Sequence, residues 1–145
     1  STPGYYFVTV CTKDKQKLLC DIVGTVLLDG PKVRLTEYGK IVDRRLLEMA
    51  DFYKKIKIDK YVVMPNHIHL ILFIPCDSGR LIASPTSVAT VIGQMKRFVS
   101  KKIGSPIWQR SFYDHIIRDR QDYDKIAKYI QDNPAKWQND CFFSE

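Results

Sequence analysis

Residues 57–75 constrain the fold more than any other stretch of the chain. Ile58, Tyr61, Val62 and Val63 lie before Pro65-Asn66, and Ile68, Leu70, Ile71 and Leu72 after it. β-Branched and aromatic residues suit a pleated surface, and a proline–asparagine step favours a tight turn. The spacing therefore predicts strands over 57–64 and 67–75, joined at 64–66. On the second strand, side chains two apart share a face. His67 and His69 fall on one side, and Ile68, Leu70, Leu72 and Ile74 on the other.

The rest of the chain supplies the partners such a hairpin needs. Residues 5–11, Tyr-Tyr-Phe-Val-Thr-Val-Cys, read as a first strand. Residues 18–28 and 32–35, separated by Asp29-Gly30-Pro31, suggest a small hairpin excursion with Asp-Gly as its turn. Thr36 has the character of an N-cap, with Glu37 in the first turn behind it. Val42, Leu46, Met49, Tyr53 and Ile56 continue as the apolar stripe of a packed helix. A polar loop over 77–87 leads to a second helix over 86–103, with Val88, Val91, Met95, Phe98 and Ile103 as its buried side and Gly104 as its stop. A fourth strand is expected over 109–118, and a third helix over 121–133, ended by Pro134. The order β-α-β-β-α-β plus a C-terminal helix is the split βαβ pattern. It predicts an α+β, ferredoxin-like antiparallel sheet with the two long helices on one face, as a single domain spanning 1–145.

Composition limits the function classes. No apolar run approaches the length of a membrane span, and the first residues do not follow a signal-peptide pattern. Cys11, Cys20, Cys76 and Cys141 have no C-x-x-C spacing, so the expectation is free thiols in a reducing cytoplasm rather than a cysteine-bound zinc. A net charge of +7 suits a polyanionic partner. The surplus is concentrated at Lys96, Arg97, Lys101 and Lys102 and again at Arg110, Arg118 and Arg120. Lys96, Arg97 and Lys101 are candidates to follow a nucleic-acid backbone, with Arg110 and Arg118 beyond them, against the alternative of a solvated basic surface.

Two imidazoles side by side on a strand make half of a divalent-metal site, or else are polar residues on a half-solvated sheet. On the third helix Tyr123, Ile126, Ala127 and Ile130 form the apolar side, while Lys125, Tyr129 and Asn133 share a neighbouring stripe at four-residue intervals. That stripe offers an ammonium, a phenol and a carboxamide, an odd set for packing alone. The alternatives are a core tyrosine and a helix-terminal asparagine. His115 reads either as a hydrogen-bonded strand residue or as a phosphate contact. Trp108, Phe112 and Tyr113 read either as core or as stacking platforms for unpaired bases.

Taken together, Met64-Pro65-Asn66-His67-Ile68-His69-Leu70, Trp108-Gln109, Tyr113-Asp114-His115-Ile116-Ile117-Arg118 and the Tyr129-Ile130 and Asn133-Pro134 pairs resemble the single-tyrosine HUH transposases, in particular their REP-associated branch. The resemblance implies a ferredoxin-like fold, a single-stranded DNA hairpin as substrate (an element end or a palindromic repeat) and a divalent metal, Mg2+ or Mn2+. It implies His67 and His69 as metal ligands, Tyr129 as nucleophile and Asn133 as a third, helix-borne ligand, where insertion-sequence relatives carry a glutamine. The reaction implied is cleavage and rejoining of DNA through a 5′-phosphotyrosine, by a monomer or a homodimer. Without the resemblance, two other readings stand: a non-catalytic RNA- or single-stranded-DNA-binding module of the same strand order, and a His-metal hydrolase with no covalent intermediate.

Overall fold

The computed structural model describes residues 4–23, 32–52, 56–75 and 87–139. Along the chain it forms β1 (Gly4–Cys11), β2 (Cys20–Val23), β3 (Lys32–Leu35), α1 (Glu37–Phe52), β4 (Lys57–Met64), β5 (His67–Ile74), α2 (Val88–Ile103), β6 (Tyr113–Ile117) and α3 (Arg120–Asp132). Four strands make one sheet in the order β4-β5-β1-β6, and every neighbouring pair is antiparallel. This is the expected ferredoxin-like arrangement, in which the first and third of its strands sit at the centre. β2 and β3 pair separately, confirming the hairpin excursion; its Asp29-Gly30-Pro31 turn lies outside the described residues.

The period-two pattern of β5 decides what lies on each side of the sheet. Ile68, Leu70, Leu72 and Ile74 join Tyr6, Val8 and Val10 of β1 in the main core, against Val42, Leu46 and Met49 of α1 and Val91, Ile92, Met95 and Val99 of α2. The expected Thr36 cap and Gly104 stop are both present, and Ser87 adds a cap at the start of α2. Thr36 Oγ1 accepts from the Gly39 amide at 3.1 Å, and Ser87 Oγ accepts from the Thr90 amide at 3.1 Å. Gly104 ends α2 with φ at 95°. Gly39 is required by space: a Cβ there would lie 1.9 Å from the Leu19 carbonyl oxygen. That contact sets the start of α1 directly against the segment leading into β2.

Three expectations need correction. Phe98 is not buried but 38% exposed, because Val99 takes the inward position and Phe98 faces α1, where the Arg45 guanidinium lies 4.0 Å over its ring. The fourth strand begins at Tyr113 rather than near 109. Its approach makes one bridge, Thr12 to Trp108, and then turns away, because Lys96 Nζ binds the carbonyls of Gln109 and Ser111. Tyr113 is not core: it is 59% exposed on the edge strand. Cys11 and Cys20 are both buried, and burial pushes the Cys20 pKa up to about 12. Tyr53, Cys76, Cys141 and most of the polar 77–87 loop lie outside the described residues.

The opposite face of the sheet is covered by α3. Ile130 packs with Ile71 and Ile117, surrounded by Phe7, Val62, Tyr123, Ile126 and Ala127. Tyr123 donates a hydrogen bond to the Asp59 carboxylate of β4 and lies edge-on to Tyr5, 5.5 Å between ring centroids. The helix therefore docks mainly over β4 and β5, touches β6 at Ile117, and leaves Tyr113–Ile116 exposed. Among the described residues no helix is long and apolar enough to cross a membrane.

Candidate active site

His67 and His69 project from β5 beneath α3 and are almost wholly buried. Their Nε2 atoms are 3.1 Å apart. Each ring is held from behind: His67 Nδ1 lies 2.7 Å from Asn66 Oδ1, and His69 Nδ1 lies 2.8 Å from Thr9 Oγ1 on the adjacent strand. A carboxamide oxygen only accepts, so His67 carries its proton on Nδ1 and presents a bare lone pair at Nε2. The Thr9 hydroxyl can accept from or donate to His69, so that ring can also offer Nε2 as a lone pair. Outer hydrogen bonds of this kind fix the tautomer of metal-binding histidines. Burial, then the neighbouring His69, drives the His67 pKa down to about 2. Burial drives that of His69 down to about 3. Both rings are therefore neutral and able to ligate at physiological pH.

The third helix brings the other half. The ring of Tyr129 lies 5.2 Å from that of His69 and 6.1 Å, edge-on, from Phe7. Eight residues later, Trp137 lies 6.1 Å from His67. Asn133 sits midway between these two anchors in sequence, on the turn that closes α3, and is buried. Its Oδ1 has no hydrogen-bond partner among the described residues. An unsatisfied buried acceptor costs about 1–3 kcal/mol, so this oxygen sits where an electrophile would stabilise it. Among the described residues no group of three His, Cys, Asp or Glu side chains forms a metal cluster. Two imidazole nitrogens with one carboxamide oxygen fit a hard-to-borderline divalent cation with coordination positions left for substrate.

Thr9 and Trp137 do not stand out in the sequence as site residues, and Asn66 stands out there only as a turn residue and part of the histidine motif. Asn66 precedes the first histidine directly, and Trp137 extends the four-residue spacing of Tyr129 and Asn133, so both carried a faint signal. Thr9 carried none, because its place opposite His69 depends on the β1–β5 register.

The expected DNA-contacting cations do not all meet at the site. Arg97 and Lys101 are exposed on α2, which packs on the aliphatic face, across the sheet from the imidazoles. Lys96 is half-buried, with Nζ 2.6 Å from the Gln109 carbonyl and 3.2 Å from that of Ser111. Burial lowers its pKa, and its charge holds a loop in place. His115 and Tyr113 share the site's sheet face: Tyr113 stands in one row with Thr9 and His69, and His115 in the next with Phe7. His115 Nε2 is 3.0 Å from Asp122 Oδ2, whose carboxyl this bond holds below the usual range. Arg118 is exposed beside the start of α3, and Arg110 is exposed near the turn Lys13–Lys15. Trp108 is buried and Phe112 half-buried against the main core.

A family model described as the IS200-like transposase matches residues 4–133, from the first residue of β1 to Asn133. The chain belongs to the IS200-like transposase family. The match contains both histidines, Tyr129 and Asn133, and it makes this protein a DNA transposase. An uncharacterized protein of Haemophilus influenzae is 30% identical over 159 residues, covering 97% of this chain and 85% of that one. A REP-associated tyrosine transposase of Escherichia coli is 29% identical over 84 residues, covering 57% of this chain and 47% of its own length. The solved structure of a REP-associated tyrosine transposase bound to a REP hairpin superposes with a TM-score of 0.69 at 22% identity, covering 94% of this chain and 70% of that one. This IS200-like transposase thus shares the fold of that enzyme.

Proposed function

We propose that the protein is a metal-dependent transposase that cleaves and rejoins hairpin-bearing single-stranded DNA, with Tyr129 as nucleophile. The observation that carries this reading is the packing of Tyr129 against His69 within one chain, with the unpartnered Asn133 oxygen one helical turn further on. The hairpin is inferred from the structural relative, which was solved with one bound.

His67 Nε2, His69 Nε2 and Asn133 Oδ1 would hold the cation, Mg2+ or Mn2+. When bound, it supplies positive charge against the scissile phosphate's oxygens. The protein's own groups do the rest. Thr9 and Asn66 keep the imidazoles oriented, and Phe7 and His69 hold the Tyr129 ring at the edge of the site. Tyr129 Oη attacks phosphorus, the bond to the 3′-oxygen breaks, the phenolic proton leaves to solvent, and the released 3′-oxygen takes up a proton. The product is a 5′-phosphotyrosine and a free 3′-hydroxyl. Attack by another 3′-hydroxyl reverses the exchange, so no nucleotide cofactor is required. A base-stacking RNA module is disfavoured, because α3 closes much of the sheet face such modules use.

The test is a denaturing gel after incubation with hairpin-bearing single-stranded DNA and Mn2+. A covalent adduct that disappears in Tyr129→Phe is the expected result. Cleavage without any adduct would establish a hydrolase instead, and an adduct surviving in Tyr129→Phe would move the nucleophile to another tyrosine.

A further inference from the structure

Past the end of β1, where Cys11 pairs with His67, the chain forms an open cleft of about 700 Å³ lined by Lys13, Asp14, Lys15, Trp108 and Arg110, with Pro106 and Gln109 completing the wall. Three cations face one carboxylate, and none of the three is ion-paired among the described residues. Trp108 is only 8% exposed, and its Nε1–H has no acceptor among the described residues. Three cations around one carboxylate leave a surplus of positive charge, chemistry set for an anionic oxygen.

The cleft is held rigidly from both sides. The Lys13 amide donates to the Ile107 carbonyl at 2.8 Å, and the Gln109 amide to that of Cys11 at 2.9 Å. Lys96 binds the carbonyls on either side of Arg110. On the opposite wall Asp14 and Lys15 adopt φ values of 55° and 54°, a left-handed geometry that costs non-glycine residues roughly 1–3 kcal/mol each. Asn66 Nδ2 supports that turn by donating to the Lys15 carbonyl at 3.4 Å, while Asn66 Oδ1 accepts from His67. One carboxamide therefore joins the cleft wall to a ligand of the active site.

We infer that this cleft is a second subsite that binds a phosphodiester of the DNA strand a short distance from the cleaved bond, through the Lys13, Lys15 and Arg110 side chains. The inference rests on the proposed DNA chemistry at Tyr129 and extends it to a separate surface. The phosphodiester can come from the single-stranded flank or from the hairpin stem.

Two measurements test it. The first is the salt dependence of binding for a dT12 strand and for a blunt hairpin stem, comparing wild type with Lys13→Gln/Lys15→Gln/Arg110→Gln and with Trp108→Phe. The triple variant should bind at least tenfold more weakly, and for dT12 the slope of log affinity against log salt should fall by about 2, at roughly 0.7 per lost contact. Trp108→Phe keeps the aromatic bulk and all three cations, so its affinity and slope should stay close to wild type. The second is fluorine NMR of the 5-fluorotryptophan protein. The chain has two tryptophans, so the Trp108 signal is the one absent from Trp108→Phe. It should shift on adding DNA and stay in place in the triple variant. A shift with dT12 identifies the flank as the source, and one with the stem alone identifies the stem. Wild-type affinity and slope in the triple variant, with an unmoved Trp108 signal, would overturn the subsite. A parallel adduct assay separates the two claims. Adducts with an unaffected triple variant sink the subsite alone, whereas no adduct with a weakened triple variant sinks only the Tyr129 chemistry. A wild-type chain that binds neither DNA sinks both.

Discussion

His67 donates from Nδ1 to Asn66 Oδ1 across 2.7 Å, and this bond aims its other nitrogen at His69. Asn66 is itself buried. Asn66→Ala leaves a buried N–H unpaired and should lower stability by about 1–3 kcal/mol. It should also weaken Mn2+ binding roughly 10–100-fold, the usual loss for an outer hydrogen-bond partner. Isothermal titration with Mn2+ and urea unfolding in chelator read the two effects separately. Unchanged Mn2+ affinity would deny Asn66 its orienting role.

Asn133 should show opposite effects with and without metal. Leucine has nearly the same shape and lacks the unsatisfied oxygen, so Asn133→Leu should leave the metal-free protein as stable as wild type or more so. The rise in melting temperature on adding Mn2+ should shrink or vanish. A variant that loses stability in chelator but keeps the full Mn2+ response would show that the oxygen has a structural partner instead.

Acid should unfold the metal-free protein through its buried imidazoles. Their folded pKa values, about 2 and about 3, lie below the ordinary 6.5. As pH falls below 6.5 the unfolded chain therefore takes up protons that the fold refuses. Stability is complete above that value and declines down to the folded pKa values, by up to about 1.4 kcal/mol per pH unit for each ring. From pH 6 to pH 5 the two together should remove roughly 2 kcal/mol, read by urea titration in chelator. His67→Leu/His69→Leu should flatten this window; an identical decline in the double variant would place its origin elsewhere.

Tyr129 and His69 meet within one chain, so the complete site should belong to a single subunit. Mixing Tyr129→Phe with His67→Ala/His69→Ala should give no adduct above the level of either variant alone. Restored activity in the mixture would reveal subunits exchanging α3.

Local pattern made much of this legible. The strand pair around Pro65-Asn66, the two faces of β5 and the Tyr129–Asn133 spacing all follow from neighbours a few residues apart. What escaped depended on distant partners. Nothing near Thr9 says that it will stand opposite His69, since that requires the β1–β5 register. Lys96 looks like one more surface cation until the fold brings the Gln109 and Ser111 carbonyls to it. The same contact explains why β6 starts late. Phe98 fits an apolar stripe by number, but the stripe drifts and Val99 takes its place.

β5 buries alternate side chains in opposite environments, aliphatic ones under α1 and α2 and imidazoles under α3. A slip of one residue in its pairing would exchange them, putting two rings into hydrocarbon and an isoleucine where the tyrosine waits. Errors in folding and errors in catalysis are therefore the same event on this strand. Any misregistered molecule loses its core and its paired imidazoles together, so no wrongly assembled fold keeps two histidines beneath Tyr129.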